Sequence, residues 1–301
     1  MHPPPAKIKK LHTHILTWYR RHRRELQWRF TDDPYEILVS EIMLQQTQVQ
    51  RVQMKLPFFL KQFSTLKKLA RASKREVILA WQGMGYNNRA VRLRNLAVTV
   101  CKQHSGKLPS DIEMLMSLPG VGPYTAHALA CFAFQKHVPI VDINIRRVFS
   151  RIFWNMKSLS SQHSEQEIWR LAKRILPKDA YTWNQALMDL GATICTARKP
   201  LCQRCPVKNL CRSRQLEHHL QRQLRIKKTE PMYDNIPHRI WRGKIIQTLR
   251  EHNMLTMKKL GSIVKPDFRA HEISWLSSLV EKLTSDGLVS FKRGRVTLAH
   301  E

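Results

Sequence analysis

Negative charge is scarce in this chain. Its 301 residues carry 22 Asp plus Glu against 52 Lys plus Arg, a formal net charge of +30. Such an excess favours a polyanionic partner, nucleic acid first, with ribosomes or acidic lipid as other takers, and it says nothing about chemistry. Long apolar runs are missing as well, so no segment reads as a membrane span and no membrane partner is expected. The first ten residues bring prolines and lysines but not the apolar stretch of a secretory leader. Strand-like alternation is almost absent over residues 7–211, where helix follows helix, and no fixed-period repeat occurs. Cysteine is thin outside one tight group. Cys101 and Cys131 lie in apolar helical patterns and read as small core residues, not as ligands or a disulfide. Unpaired thiols fit a reducing, cytoplasmic setting. Apolar residues still make up 43%, enough for two domains with a sizeable core.

The tight group is Cys195, Cys202, Cys205 and Cys211, spaced C-x6-C-x2-C-x5-C. Four thiolates so close in sequence can wrap one compact metal centre. The spacing departs from the paired C-x2-C units of an ordinary zinc ribbon. Soft four-sulfur ligation suits zinc and iron–sulfur alike, and four thiols without metal remain a third reading.

Three further features carry chemistry. Leu118-Pro119-Gly120-Val121-Gly122 falls between two helical stretches. Its glycines, Gly120 and Gly122, permit a tight turn and close approach. The helix beginning at Pro123 offers free N–H groups to a phosphate. Ser110 to Glu113 reads as a capping box opening the preceding short helix. Asp142, between an apolar segment and a helical one, reads first as an N-cap, a position that fixes a carboxylate rigidly. Glu41 is odder, because Ile37-Leu38-Val39-Ser40 and Ile42-Met43-Leu44 surround it with apolar side chains. A carboxylate on a buried helix needs a partner or a raised pKa, and a raised pKa keeps it protonated and able to donate. Alternatively it heads a narrow polar stripe with Gln45 and Gln48, one and two turns on, facing DNA.

Ser40-Glu41-Ile42-Met43-Leu44-Gln45-Gln46-Thr47-Gln48-Val49 is similar to the signature of MutY-type adenine DNA glycosylases. These belong to the endonuclease III and MutY branch of the helix-hairpin-helix glycosylases. Leu26 to Arg29, Gly83 to Tyr86, the hairpin string through Ala126, Val141 to Asn144, Met188 to Ala192 and the cysteine loop match in family order. The resemblance spans residues 11–211. It implies an all-α, two-lobed helix-hairpin-helix fold with a DNA cleft, and a [4Fe-4S] cluster on the four cysteines. The implied activity is hydrolysis of the N-glycosidic bond of adenine opposite 8-oxoguanine or guanine, after the base is flipped into a pocket. By position, Glu41 would protonate the adenine, and Asp142 would stay ionised to stabilise the oxocarbenium-like sugar. Tyr124 and Asn144 would support sugar and pocket, and Arg29 would help hold the base. Gln46 and Tyr86 would insert into the duplex. Tyr124 stands where the bifunctional branch carries a lysine, and a phenol forms no Schiff base, so a monofunctional enzyme is expected.

The expected organisation is a glycosylase domain at residues 7–211, a basic linker at 212–237 and a winged-helix-like α+β unit at 238–301. In that last unit, helices are expected over Ile240–Glu251, Leu255–Val264 and His271–Leu283, followed by a basic hairpin around Arg293-Gly294. Many MutY-type enzymes carry a C-terminal Nudix-like domain, for which this chain is too short. The Tyr124 signature also occurs in thymine–guanine mismatch glycosylases, so a thymine- or uracil-removing enzyme is the alternative. A non-catalytic DNA-binding protein is a third reading. The expected partner is mismatched double-stranded DNA, met by a monomer in the cytoplasm at the nucleoid.

Overall fold

The structure, a computed structural model, describes residues 3–154, 164–214 and 230–300. Most of the expected linker, residues 215–229, lies outside the described residues. Among the described residues no helix is long and apolar enough to cross a membrane.

The chain is mostly helical, as its patterning predicts. α1 (Pro5–His22) starts on a proline in its first turn and ends on Arg20, Arg21 and His22, which suit the negative end of the helix dipole. Its Leu11, Ile15 and Tyr19 recur at four-residue spacing and are buried. α2 (Pro34–Leu44) is apolar nearly all round and buries Ile37, Leu38, Val39, Ile42 and Met43. α3 (Val49–Gln62), α4 (Leu66–Arg71), α5 (Lys74–Ala80) and α6 (Asn88–Gln103) follow, with Thr65 capping α4 and a Ser73–Glu76 capping box opening α5. α7 (Ile112–Ser117) leads through the glycine turn into α8 (Pro123–Phe132). The cap of α7 differs from the expected Ser110 box. Asp111 Oδ1 accepts from the N–H groups of Glu113 and Met114 at 2.9 and 3.0 Å, so the carboxylate one residue on takes that role. α9 (Ile143–Trp154), α10 (Glu165–Arg174) and α11 (Ala180–Asp189) complete this part, and one wide turn, Leu190–Ile194, runs on into the cysteine loop.

The C-terminal elements are β1 (Met232–Tyr233), β2 (Ile236–Pro237), α12 (His238–Glu251), β3 (Leu255–Thr256), α13 (Met257–Val264), α14 (Ile273–Ser285), β4 (Val289–Lys292) and β5 (Arg295–Leu298). From α12 onward this is the helix–strand–helix–helix–strand–strand order of a winged helix, with a three-stranded sheet in the order β3-β5-β4. Leu255 and Thr256, expected to start a helix, instead pair with Val296 and Arg295, and Thr256 caps α13 from outside. The wing turn holds Arg293 and Gly294 at φ 49° and 72°, the left-handed pair that a two-residue hairpin with matching twist requires.

Two compact units result. One comprises Met1–Ile37, Ser110–Met116 and Val121–Ile226; the other comprises Leu38–Pro109, Ser117–Gly120 and Lys227–Glu301. The first has a core of Leu11, Ile15, Ile145, Phe149, Trp183 and Leu187. In the second, Ile78 of α5 and Val91 of α6 share one apolar core with Trp241, Ile245, Leu249 and Leu298. The winged helix therefore packs on the helices that precede the glycine turn.

Candidate active site and cysteine loop

Glu41 sits one turn before the end of α2 and is only 3% exposed, as its apolar neighbours predict. The expected polar stripe through Gln48 does not form. The helix ends at Leu44, Gln46 turns to φ 56°, and Gln48 becomes the N-cap of α3. What ends the helix is Arg89, which sequence reading passed over. Its guanidinium, 6% exposed with its residue, donates to the carbonyls of Ile42, Met43, Gln45, Met84 and Gly85 and to Thr47 Oγ1. The carbonyls of Ile42 and Met43 belong to the last turn of α2, where four carbonyls lack helical partners. Arg89 thus ties two loops together, residues 45–47 and residues 83–86. Burial pushes its pKa down to about 10, which still leaves the charge in place at neutral pH.

Those two loops carry Gln46 and Tyr86. Both are exposed, Tyr86 to 51%, and both take left-handed backbone, at φ 56° and 45°. Non-glycine residues adopt that region at a cost, and such strain concentrates at functional sites. Gly83 and Gly85, at φ 84° and 69°, supply the sharp turns on either side of Met84.

In the other unit, Asp142 is the N-cap of α9. Its Oδ1 accepts from Ile145 N at 2.6 Å and its Oδ2 from Asn144 Nδ2 at 2.7 Å. Burial raises its pKa, while these donors and the Arg147 charge oppose the rise. Asn144 in turn accepts from Arg147 at 2.9 Å, and Arg147 donates to the carbonyls of Gly191 at 2.6 Å and Cys195 at 2.7 Å. A hydrogen-bonded path therefore runs from Asp142 through Asn144 and Arg147 to the first cysteine. Gly191 is required by space: a Cβ there would meet Asn144 Cβ at 2.8 Å. Tyr124 stands half-buried in the first turn of α8. Gly120 takes φ 80° and needs to be glycine, whereas Gly122 has open space around its Cα, which leaves its backbone approachable.

Arg29 lies against Asp189. Its guanidinium grips Asp189 with two bonds, NH1 to Oδ2 at 3.0 Å and NH2 to Oδ1 at 2.7 Å, and Arg24 joins the same carboxylate through Nε at 2.8 Å. The side chain of Arg29 is 7% exposed and that of Asp189 is fully buried. Burial alone would raise the Asp189 pKa, but the bonds and charge of Arg29, helped by Arg24, outweigh it and hold the carboxyl below its ordinary range. The fork is thus committed to an internal ion pair.

Cys195, Cys202, Cys205 and Cys211 all line one cavity, walled by Val148, Ile152, Leu190, Ile194 and Val207. Burial, with the neighbouring cysteines adding to it, pushes the thiols of Cys205 and Cys211 up to about 12 and 11. Thiolates there call for a cationic centre to neutralise them. Among the described residues, no three His, Cys, Asp or Glu side chains form a site for a single metal ion. Four thiols lining one cavity suit the soft four-sulfur ligation that zinc and an iron–sulfur cluster share. Arg151 braces the loop, donating to Cys195 Sγ at 3.3 Å and to the carbonyls of Thr196 and Ala197 at 2.8 and 3.1 Å. Such donors to sulfur tune a bound cluster.

Residues 39–174 match the HhH-GPD superfamily of base excision DNA repair proteins, and residues 195–211 match the iron-sulfur binding domain of endonuclease III. The adenine DNA glycosylase of Mycolicibacterium smegmatis is 36% identical over 95% of both chains. That of Mycobacterium tuberculosis is 42% identical over 68% of this chain and 69% of its own. Among solved structures, a thermostable thymine-DNA glycosylase is 33% identical with a TM-score of 0.65, covering 69% of this chain and 97% of its own. An endonuclease III bound to DNA, 23% identical with a TM-score of 0.62, shares the fold. With a near full-length relative at 36% identity and both diagnostic segments in place, this chain belongs to the adenine DNA glycosylases, a [4Fe-4S] branch of the helix-hairpin-helix base excision repair superfamily.

Proposed function

We propose that this chain excises adenine opposite 8-oxoguanine or guanine and that it works as a monomer without lyase activity. The observation that carries the reading is the pairing of roles. Glu41 is buried on an apolar helix that ends two residues before the strained, exposed Gln46, and Asp142 is pinned by two donors at a helix start. A buried carboxyl suits proton donation to the departing adenine. A rigid carboxylate suits stabilisation of the electron-poor sugar. Gln46 and Tyr86 fill the gap left by the flipped base, and the backbone at Gly120 and Gly122 takes a phosphate. The cluster, when bound, supplies a compact positive centre that draws the four thiolates together. Arg151, Arg147 and Asn144 connect the loop so braced to Asp142. Mismatched duplex is the substrate, met where the chromosome lies.

The test is a panel of duplexes carrying A opposite 8-oxoguanine, A opposite guanine, T opposite guanine and U opposite guanine. Release of adenine alone is expected, and Glu41→Gln should abolish it while DNA is still bound. Release of thymine or uracil would favour the activity named for the 34% identical relative from Aeropyrum pernix, a thymine-DNA glycosylase. Borohydride trapping on a preformed abasic site should yield no crosslink, since Tyr124 has no amine to offer.

A further inference from the structure

The winged helix touches the loop that presents Tyr86 at both of its ends. On α12, Arg250 donates to Asn87 Oδ1 at 2.9 Å and to the carbonyl of Ile78 at 3.0 Å. Three residues earlier on the same face, Gln247 accepts from Gln82 at 3.4 Å and from Arg250 itself at 3.4 Å. Gln82 immediately precedes Gly83, and Asn87 immediately follows Tyr86, so these contacts bracket residues 83–86.

Asn87 shows what the contact displaces. It occupies the N-cap position of α6, where an asparagine side chain ordinarily accepts from the first helical N–H groups. Here it makes no such bond, and its side-chain oxygen faces Arg250 instead. Arg250 is itself costly to place. Burial pushes its pKa down to about 10, the acceptors it meets are neutral, and its Nε is buried without a partner. The apolar core shared by Ile78, Val91, Trp241, Ile245 and Leu249 holds α12 rigidly enough to keep that geometry.

We propose that Arg250, with Gln247, is a positioning clamp by which the C-terminal winged helix sets the Tyr86 loop for entry into the duplex. The clamp rests on the reading of Tyr86 as the residue that enters the DNA. The winged unit then serves the chemistry through the shape of this loop, independently of any contact it makes with DNA. Held at Gln82 and Asn87, the strained turn at Tyr86 is organised before DNA arrives, and binding need not spend free energy ordering it.

Five variants test this: Tyr86→Ala, Arg250→Ala, Arg250→Lys, Asn87→Ala and the double variant Asn87→Ala with Arg250→Ala. They are read by single-turnover adenine release, by fluorescence of a 2-aminopurine placed beside the target adenine, and by hydrogen exchange of residues 83–88. Arg250→Ala and Asn87→Ala should each slow release and the fluorescence rise about tenfold, the size expected for one lost bond to a charged donor. Amide exchange should speed up in that loop. The double variant should be no slower than either single one, because both remove the same contact. Arg250→Lys keeps the charge but cannot bridge both acceptors, so it should also be slow. Affinity for undamaged duplex should stay as in the parent. If Arg250→Ala fails to fold, Asn87→Ala and Arg250→Lys carry the same comparison. Release at the parental rate in Asn87→Ala and Arg250→Lys, with Tyr86→Ala slow, would overturn the clamp and leave the wedge standing. Losses that add in the double variant would also overturn the clamp. Parental rates in Tyr86→Ala would overturn the wedge and the clamp with it.

Discussion

Arg89→Ala is the substitution from which the most can be learned. In the folded chain this guanidinium meets the carbonyls of Ile42, Met43, Gln45, Met84 and Gly85 and the hydroxyl of Thr47. A hydrogen bond to a charged group contributes about 1.5–3 kcal/mol, but bonds that share one side chain do not add. The better guide is the cost of leaving buried neutral acceptors without a donor, about 1–3 kcal/mol. Set against a total stability of about 5–15 kcal/mol, the variant should fold in the cold and unfold at clearly lower urea. Arg89→Lys should recover only part of the loss, since three donors on a point charge cannot span acceptors from two loops. Urea titration gives the stability change, and hydrogen exchange gives its location. Exchange should quicken in residues 45–47 and 83–86 ahead of the rest of that unit. A stability loss below about 1 kcal/mol, under the range for a single stranded buried acceptor, would refute the assignment of Arg89 as the junction. So would a large loss spread evenly over the unit.

Gly191→Ala should lower adenine release with little loss of DNA binding, because its new methyl would meet Asn144 Cβ at 2.8 Å and push Asn144 off Asp142; comparing kcat with the dissociation constant checks it. Asp189→Asn leaves Arg29 buried without its carboxylate and should cost about 3–5 kcal/mol near neutrality. Because the Asp189 pKa is depressed, the stability it brings is present above the ordinary carboxylate range and is lost as pH falls through the lowered value; the gap between parent and variant should therefore shrink below about pH 4, which urea titrations across pH will show. Cys202→Ser should lose iron and the broad visible absorption of a cluster, with iron and sulfide analysis as the readout.

The readable features share a cause. Glu41 stood out because a carboxylate among Ile37, Leu38, Val39, Ile42 and Met43 conflicts with its surroundings, and the structure buries it there. Asp142 stood out because a cap is a local affair, decided within three residues. The cysteine loop is likewise contiguous in sequence. Arg89 was passed over because its acceptors are carbonyls between Ile42 and Gly85, and a carbonyl leaves no mark in a sequence. The grip of Asp189 on Arg24 and Arg29 spans more than 150 residues, so no local pattern shows that Arg29 has this partner. Gln48 was misassigned for a related reason: nothing within residues 41–48 says that an arginine from α6 will end the helix at Leu44.

Although the chain has 22 acidic residues, its buried Arg89, Arg147 and Arg151 make their described hydrogen bonds to other acceptors. Arg89 binds carbonyls and a hydroxyl. Arg147 binds two carbonyls and the oxygen of Asn144. Arg151 binds carbonyls and a thiol sulfur. Guanidinium suits this use, since it presents several donors in a fixed plane and stays charged even when partly desolvated. Neutral acceptors leave its charge uncancelled, which a polyanionic partner can offset from outside. The exception is informative. Asp189, which pairs with two arginines, lies beside the wide turn that leads to the first cysteine. Arginine bound to main chain thus fixes the turn after Glu41 and the neighbours of Asp142.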